Sequence, residues 1–321
     1  MPDSFDFSQQ RVQSDTKQRD FVPVITYVVI AICLVMTFAF LTAKPGTNDI
    51  LGRLAAAGSP DANSIWSGNY FLLLTSVFVH LSIPHIVFNM IWFYQLGSTM
   101  EKSLGSVNFL LFFLISGLVS SGAQLAVEGN PGAGASGVVY ALFALMWAGR
   151  LRYPEWRVYA TRQNLNVFVI WGLFCVFATW ANAMRVANAA HFGGMFFGFA
   201  FGYLFIANKY KWPSVGVLVI LVCLTAFSFT WLPWNGGWTW WKGSHEMGLM
   251  HYDKAVYWYK RSMALGEDKG KLWYNIAKAE DLQGHDALAA EAAQNSIKNG
   301  YRSEPVPEIP DSSQPDGKGP P

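Results

Sequence analysis

Ser136 stands in the stretch Gly132-Ala133-Gly134-Ala135-Ser136-Gly137-Val138-Val139-Tyr140, between a Pro/Gly loop and the apolar run Val138–Trp147. A serine flanked by small residues at the mouth of a hydrophobic helix suits a nucleophile with room for a substrate backbone beside it. The same stretch also reads as a helix cap at Ser136, with Gly134 and Gly137 allowing two membrane helices to pack closely. Other polar residues bear on the choice. His80, His85, Asn89, Tyr140 and His191 lie in or at the ends of apolar runs, where polar groups are costly and therefore functional candidates. His85 and Asn89 are four apart and share a helix face. His191 heads its own apolar run. A serine needs a base to become nucleophilic, and histidine is the usual one. There is no aspartate between Asp61 and Asp253, and Glu101, Glu128, Glu155 and Glu246 fall outside the apolar runs. A Ser–His–Asp triad is therefore not expected, and a Ser–His dyad remains. His85 and Asn89 would then offer donors to an oxyanion beside the Ser136 backbone N–H, while a lone histidine such as His80 reads more simply as a packed, hydrogen-bonded residue. Three histidines also suit a metal, but no H-E-x-x-H occurs and no carboxylate is near them in sequence. No metal and no cofactor is expected. Paired membrane aspartates, the signature of an aspartyl intramembrane protease, are absent too.

The elements that must carry these residues are membrane spans. Of 321 residues, 52% are hydrophobic and 14% charged, with 14 Trp and 24 Phe, a membrane composition rather than that of a soluble core. A net charge of +2 gives no support to nucleic-acid binding. Cys33, Cys175 and Cys223 lie singly in apolar runs, without metal or disulfide spacing. After a polar tail over 1–20, Val22–Ala43 is long enough to cross a bilayer and too long, without a cleavage site, to be a signal peptide. A long connector, Lys44–Val79, precedes Pro84, where a helix can begin. The further spans are Ile86–Met100, Val107–Val127, Ser136–Gly149, Asn166–Ala183, Ala189–Asn208 and Pro213–Trp231. Several are short for lipid contact and should be shielded by neighbours. With the N-terminus cytoplasmic, the inner segments hold Arg11, Lys17, Arg19, Lys102, Arg150, Arg152, Arg157, Arg162, Lys209 and Lys211, against Lys44, Arg53 and Arg185 outside. Ten against three sets that orientation. It places Ser136 near the outer face and everything after Trp231 outside.

Residues 242–300 are polar, helical in pattern and rich in Ala, Glu and Lys. Ala255 and Ala289, Ser262 and Ser296, and Gly266 and Gly300 are each 34 residues apart, the tetratricopeptide period. Trp273 and Ala277 fit the first helix of such a repeat, whereas Thr239, one period before Trp273, does not. Trp238, Trp240, Trp241, Tyr257, Tyr259 and Trp273 offer more aromatic surface than about two repeats can hide, which points to a protein partner. The tryptophans from Trp231 to Trp241 also suit a membrane interface. The segment 302–321, with six prolines, has the composition of a disordered tail.

Three ordered motifs in this chain resemble those of the rhomboid intramembrane serine proteases. His80-Leu81-Ser82-Ile83-Pro84-His85-Ile86-Val87-Phe88-Asn89, running on to Gly97 and Glu101, resembles the second-helix signature H-x4-H-x3-N…G…E. Gly134-Ala135-Ser136-Gly137 with Tyr140 resembles G-x-S-G-x-x-Y, and Ala190-His191 followed by Gly194, Gly198 and Gly202 resembles the sixth-helix motif. The resemblance implies Ser136 as nucleophile, His191 as general base, an oxyanion site with His85 and Asn89, Tyr140 near the histidine, and glycines that let the sixth helix approach the fourth. Gly134 and His80 fall in the supporting set. Where many members carry Trp-Arg before the second helix, this chain reads Tyr70-Phe71-Leu72, so the arginine that would anchor the loop is missing.

The expected fold is all-α. A polytopic helix bundle would comprise a six-helix rhomboid-like core over 21–208 and a seventh span over 213–231, joined to a small soluble helical-repeat domain over 242–300. The expected activity is intramembrane serine endopeptidase action on transmembrane helices near the outer face. The alternatives are a rhomboid-like transpeptidase that passes the acyl group to an amine, and a non-catalytic adaptor that binds transmembrane helices. A transporter is disfavoured by the lack of mid-membrane carboxylates and of repeated spans. The expected partners are transmembrane protein substrates, membrane lipid and a protein on the repeat domain, with no nucleic acid. The expected location is the bacterial inner membrane, with the repeat domain extracytoplasmic.

Overall fold

The structure, a computed structural model, describes residues 21–44 and 49–301. The segments 1–20 and 302–321, with Arg11, Lys17 and Arg19, lie outside the described residues. The chain forms two compact units, Met1–Asn235 and Gly236–Pro321.

The first unit is a bundle of apolar helices. Its long members are α1 (Val24–Thr42), α5 (Ile83–Leu104), α6 (Ser106–Glu128), α7 (Ser136–Gly149), α8 (Arg162–Trp180), α9 (Asn188–Phe201, continuing through a π turn to Ile206) and α10 (Lys211–Thr230). Five of these runs, α1, α6, α8, α9 with its π turn, and α10, are long and apolar enough to cross a membrane. The chain is thus an integral, multi-pass all-α membrane protein. α6 is the most enclosed of the five, with 67% of its apolar window buried, against 22% for α8 and 17% for α10.

α7 is different. Every residue in it except Ser136 and Trp147 is buried. Its fourteen residues rise about 21 Å, short of a roughly 30 Å hydrocarbon core. It is therefore a central post wrapped by the other helices, with Ser136 as its first residue. The wrapping is close because of glycine. A Cβ on Gly194 would run into the carbonyl of Gly137, one on Gly198 into that of Ala141, and one on Gly137 would come within 2.6 Å of Ser120 Cβ on α6. With only hydrogens at these positions, α9 lies backbone to backbone on α7.

The connector before α5 is folded into α2 (Ile50–Ala57), α3 (Ala62–Trp66) and α4 (Leu72–Thr75), the last followed by a 3₁₀ turn at Ser76–Phe78. Asp49 and Asp61 cap α2 and α3, accepting from Gly52 N at 2.7 Å and Ser64 N at 3.2 Å. α4 with its 3₁₀ turn meets α5 at 94°, and His80 lies in this corner. In place of an arginine, two aromatic contacts with α10 tie the connector down. Trp66 Nε1 donates to Ser228 O at 3.0 Å, and Tyr70 meets Phe229 edge-on at 5.3 Å.

Glu101, just past the apolar run of α5, is held in an unexpected way. It lies in α5, fully buried. Its carboxylate accepts from the N–H groups of Ile25 (3.0 Å) and Thr26 (2.8 Å) and from the hydroxyls of Thr26 (2.7 Å) and Ser106 (2.7 Å). The orphan donors at the start of α1 and this carboxylate satisfy one another.

The second unit is two helix hairpins, α11 (Gly236–Gly248) with α12 (Tyr252–Ala264), and α13 (Lys269–Asp281) with α14 (Asp286–Lys298). It opens at Gly236, ahead of Lys242. Its hydrogen bonds repeat at the period read from the sequence. Ser262 Oγ donates to Gly236 O at 3.0 Å and Ser296 Oγ to Gly270 O at 2.9 Å. His251 Nδ1 meets Glu246 at 2.9 Å and His285 Nδ1 meets Glu280 at 2.8 Å. Trp238 and Tyr259 are buried, Trp238 against Trp258, while Tyr257 is exposed. The surplus aromatic surface is therefore smaller than the sequence implies.

Candidate active site

Ser136 opens α7 and His191 lies in the first turn of α9. Because α7 and α9 touch along their glycines, the two side chains converge. His191 Nε2 is 2.8 Å from Ser136 Oγ, and His191 is almost fully buried at 4% exposure. The imidazole stacks on the ring of Tyr140, one turn along α7, at 4.7 Å and 13°. Tyr140 is pinned in turn, its hydroxyl donating to Phe168 O on α8 at 3.0 Å. Among the described residues, His191 Nδ1 has no hydrogen-bond partner, so no carboxylate orients the base. The stack on Tyr140 and the seating of α9 on α7 orient it instead.

Sequence reasoning passed over Gln124 on α6. Its Oε1 accepts from Ala190 N at 3.1 Å, fixing the turn that carries His191. The signal that would have found it is a buried amide in an otherwise apolar span.

A cavity of about 910 Å³ opens over the serine. His85, Asn89, Ser136, Tyr140 and His191 all line it. Its apolar walls come from α5 (Phe88, Trp92) and α8 (Val167, Phe168, Trp171), and Glu128, Asn130 and Arg185 also line it. Asn89 Nδ2 donates to His85 O at 2.9 Å, a bond that uses one of the two hydrogens of that amide. Ser82 caps α5 by accepting from His85 N at 3.4 Å.

Gly134 and His80 shape the loop from behind. Gly134 has φ of +106°, a region suited to glycine, and a Cβ there would fall 2.8 Å from the His85 ring. Its N–H donates to Ser76 O at 3.1 Å. His80 is fully buried, stands edge-on to His85 at 4.9 Å, and receives Ala135 N–H at 3.3 Å from its Nε2. It is not on the cavity wall. No cluster of three or more His, Cys, Asp or Glu suited to a metal occurs among the described residues.

Residues 66–208 match the family model described as the Rhomboid domain. The chain is 32% identical over 190 residues to Rhomboid protease GlpG of Salmonella paratyphi A (strain ATCC 9150 / SARB42), covering 58% of this chain and 65% of that protein. The corresponding proteins of Salmonella typhi and Salmonella newport (strain SL254) give the same identity and coverage. The aligned region of the chain thus spans 65% of the length of these relatives.

Proposed function

We propose that this chain is a rhomboid-type intramembrane serine endopeptidase that cleaves transmembrane helices near the outer membrane face. The observation that carries the reading is the 2.8 Å approach of His191 Nε2 to Ser136 Oγ at the floor of the cavity. His191 takes the hydroxyl proton as Oγ attacks the scissile carbonyl, then gives it to the leaving amine. Water next attacks the acyl-enzyme, with His191 again as base. The oxyanion is met by the N–H of Ser136, which as the first residue of a helix has no intrahelical acceptor, and by His85 and Asn89. The substrate helix enters from lipid between Phe88 and Trp92 on α5 and Val167 and Trp171 on α8, whose side chains line the cavity.

The excess of lysine and arginine supports a cytoplasmic N-terminus in the bacterial inner membrane, with the Ser136 end and the second unit outside. The repeated Ser–carbonyl and His–Glu bonds support a pair of tetratricopeptide-like repeats in that unit. Their partner is a protein surface that covers exposed side chains such as Tyr257 and Tyr274. A fluorophosphonate, which reacts with activated serines, tests the dyad. It should label the native chain at Ser136 and leave the His191→Ala variant unlabelled. Labelling elsewhere, or equal labelling of the variant, would refute the assignment.

A further inference from the structure

Thr37, on α1, lies beyond the motifs and off the cavity wall, yet it is hydrogen-bonded to the corner that supports the serine loop. It is 2% exposed. Its Oγ1 accepts from His80 N at 3.0 Å, lies 3.3 Å from His80 Nδ1, and lies 3.5 Å from Phe78 O. On the far side of the ring, His80 Nε2 faces the N–H of Ala135 at 3.3 Å.

Counting hydrogens assigns every role. A backbone N–H is only a donor, so Nε2 must be the bare, accepting nitrogen. The neutral ring then carries its proton on Nδ1 and donates it to Thr37 Oγ1. That oxygen, accepting from both the backbone N–H and the ring of His80, sends its own proton to Phe78 O. Each of these groups is satisfied in one tautomer and left in conflict in the other. In that other tautomer Nε2–H would point at the Ala135 N–H between two fully buried residues, where two opposed donors are costly.

Resting on the dyad reading, we infer that Thr37 is a positioning residue for the proposed reaction: it fixes the Nδ1–H tautomer of His80, which holds the Ala135 N–H inward beneath Ser136. Gly134 N–H is drawn the same way by Ser76 O. Two successive amides thus point into the corner, and the next one, on Ser136, is left for the oxyanion.

The test compares Thr37→Val, which keeps the shape and removes the oxygen, with Thr37→Ser, which restores it. Both are made in the full chain in lipid, with a transmembrane reporter as substrate. Thr37→Val should lower kcat by about 10- to 100-fold with KM little changed, the scale of a sub-ångström to 1 Å misplacement. Thr37→Ser should recover most of the rate. Independently of turnover, ¹⁵N spectra of histidine-labelled protein, assigned with His80→Asn, should show His80 as Nδ1–H in the native chain and a gain of Nε2–H in Thr37→Val. A native His80 protonated on Nε2, or an unimpaired Thr37→Val, overturns the inference while leaving the dyad standing. A native chain with no reactive Ser136 fails the dyad instead, and the tautomer spectrum still decides the role of Thr37.

Discussion

At the scale of residues, labour in the site is divided unequally. Ser136→Ala should abolish cleavage of a transmembrane reporter while leaving the thermal transition in place, because one hydroxyl at the cavity floor contributes little to packing. His191→Ala should abolish cleavage too, with a lower Tm, because a buried ring stacked on Tyr140 is lost. Asn89→Ala should cost less, at most about 10²–10³-fold in kcat, the loss seen when one oxyanion donor is removed. Tyr140→Phe separates ring from hydroxyl. The stack on His191 survives and only the bond to Phe168 O is lost. The variant should therefore remain active and lose about 0.5–1.5 kcal/mol, read as a small drop in Tm. Much of this site was legible in the chain. Histidines, an asparagine and a serine among apolar residues stand out because burying them is costly. What was not legible is which neighbour satisfies each one. Thr37 meets His80 across 43 residues and Gln124 meets Ala190 across 66, and neither pairing leaves a local pattern. The partners of Glu101 were illegible for a related reason. A carboxylate at the edge of an apolar run carries no local sign of the four donors that gather on it.

At the scale of elements, the site depends on how closely α9 lies on α7. Gly198→Ala would press a methyl onto Ala141 O. The helices must part, at a cost of about 1–3 kcal/mol, and the Ser136–His191 contact must lengthen. We expect a lower Tm together with loss of activity. Gly216→Ala on α10, where an added Cβ meets nothing within 4 Å, should leave both unchanged. Loss at both positions would show general intolerance rather than a specific seam. In the second unit, Lys242, hydrogen-bonded to Glu246 at 2.7 Å, and then His251 hold the Glu246 carboxyl down at about 2. A depressed carboxyl stabilises the fold fully above its ordinary value near 4.5 and loses that contribution as pH falls toward about 2. Protection of the α11 and α12 amides in the full chain, that is exchange corrected for its intrinsic pH dependence, should therefore fall between those limits. Glu246→Gln should exchange faster at pH 7 and show a flatter pH dependence. The helices themselves were largely legible, since length and apolarity mark them. The folding of the connector into three short helices was not, because its capping aspartates act over two or three residues and its anchors lie on α10, as with Trp66 on Ser228.

At the scale of the whole molecule, the proposed orientation and the proposed chemistry require each other. A serine that forms an acyl-enzyme needing hydrolysis must face the side from which water arrives. In a cysteine-free background, a cysteine in the turn 267–271 should react with an impermeant thiol reagent applied outside the inner membrane, and one between Arg152 and Arg162 should not. The reverse pattern would invert the orientation. The central claim is that Ser136, activated by His191, cuts a peptide bond within a membrane-embedded helix. Its most direct test is to incubate the purified chain in liposomes with a single-span reporter and to read the product ends by mass spectrometry. The account predicts one cut near the outer end of the reporter helix, a free carboxylate at the new C-terminus, and no product from Ser136→Ala. An amine joined to that terminus would redirect the acyl group to transfer, and cleavage that persists in Ser136→Ala would contradict the claim outright.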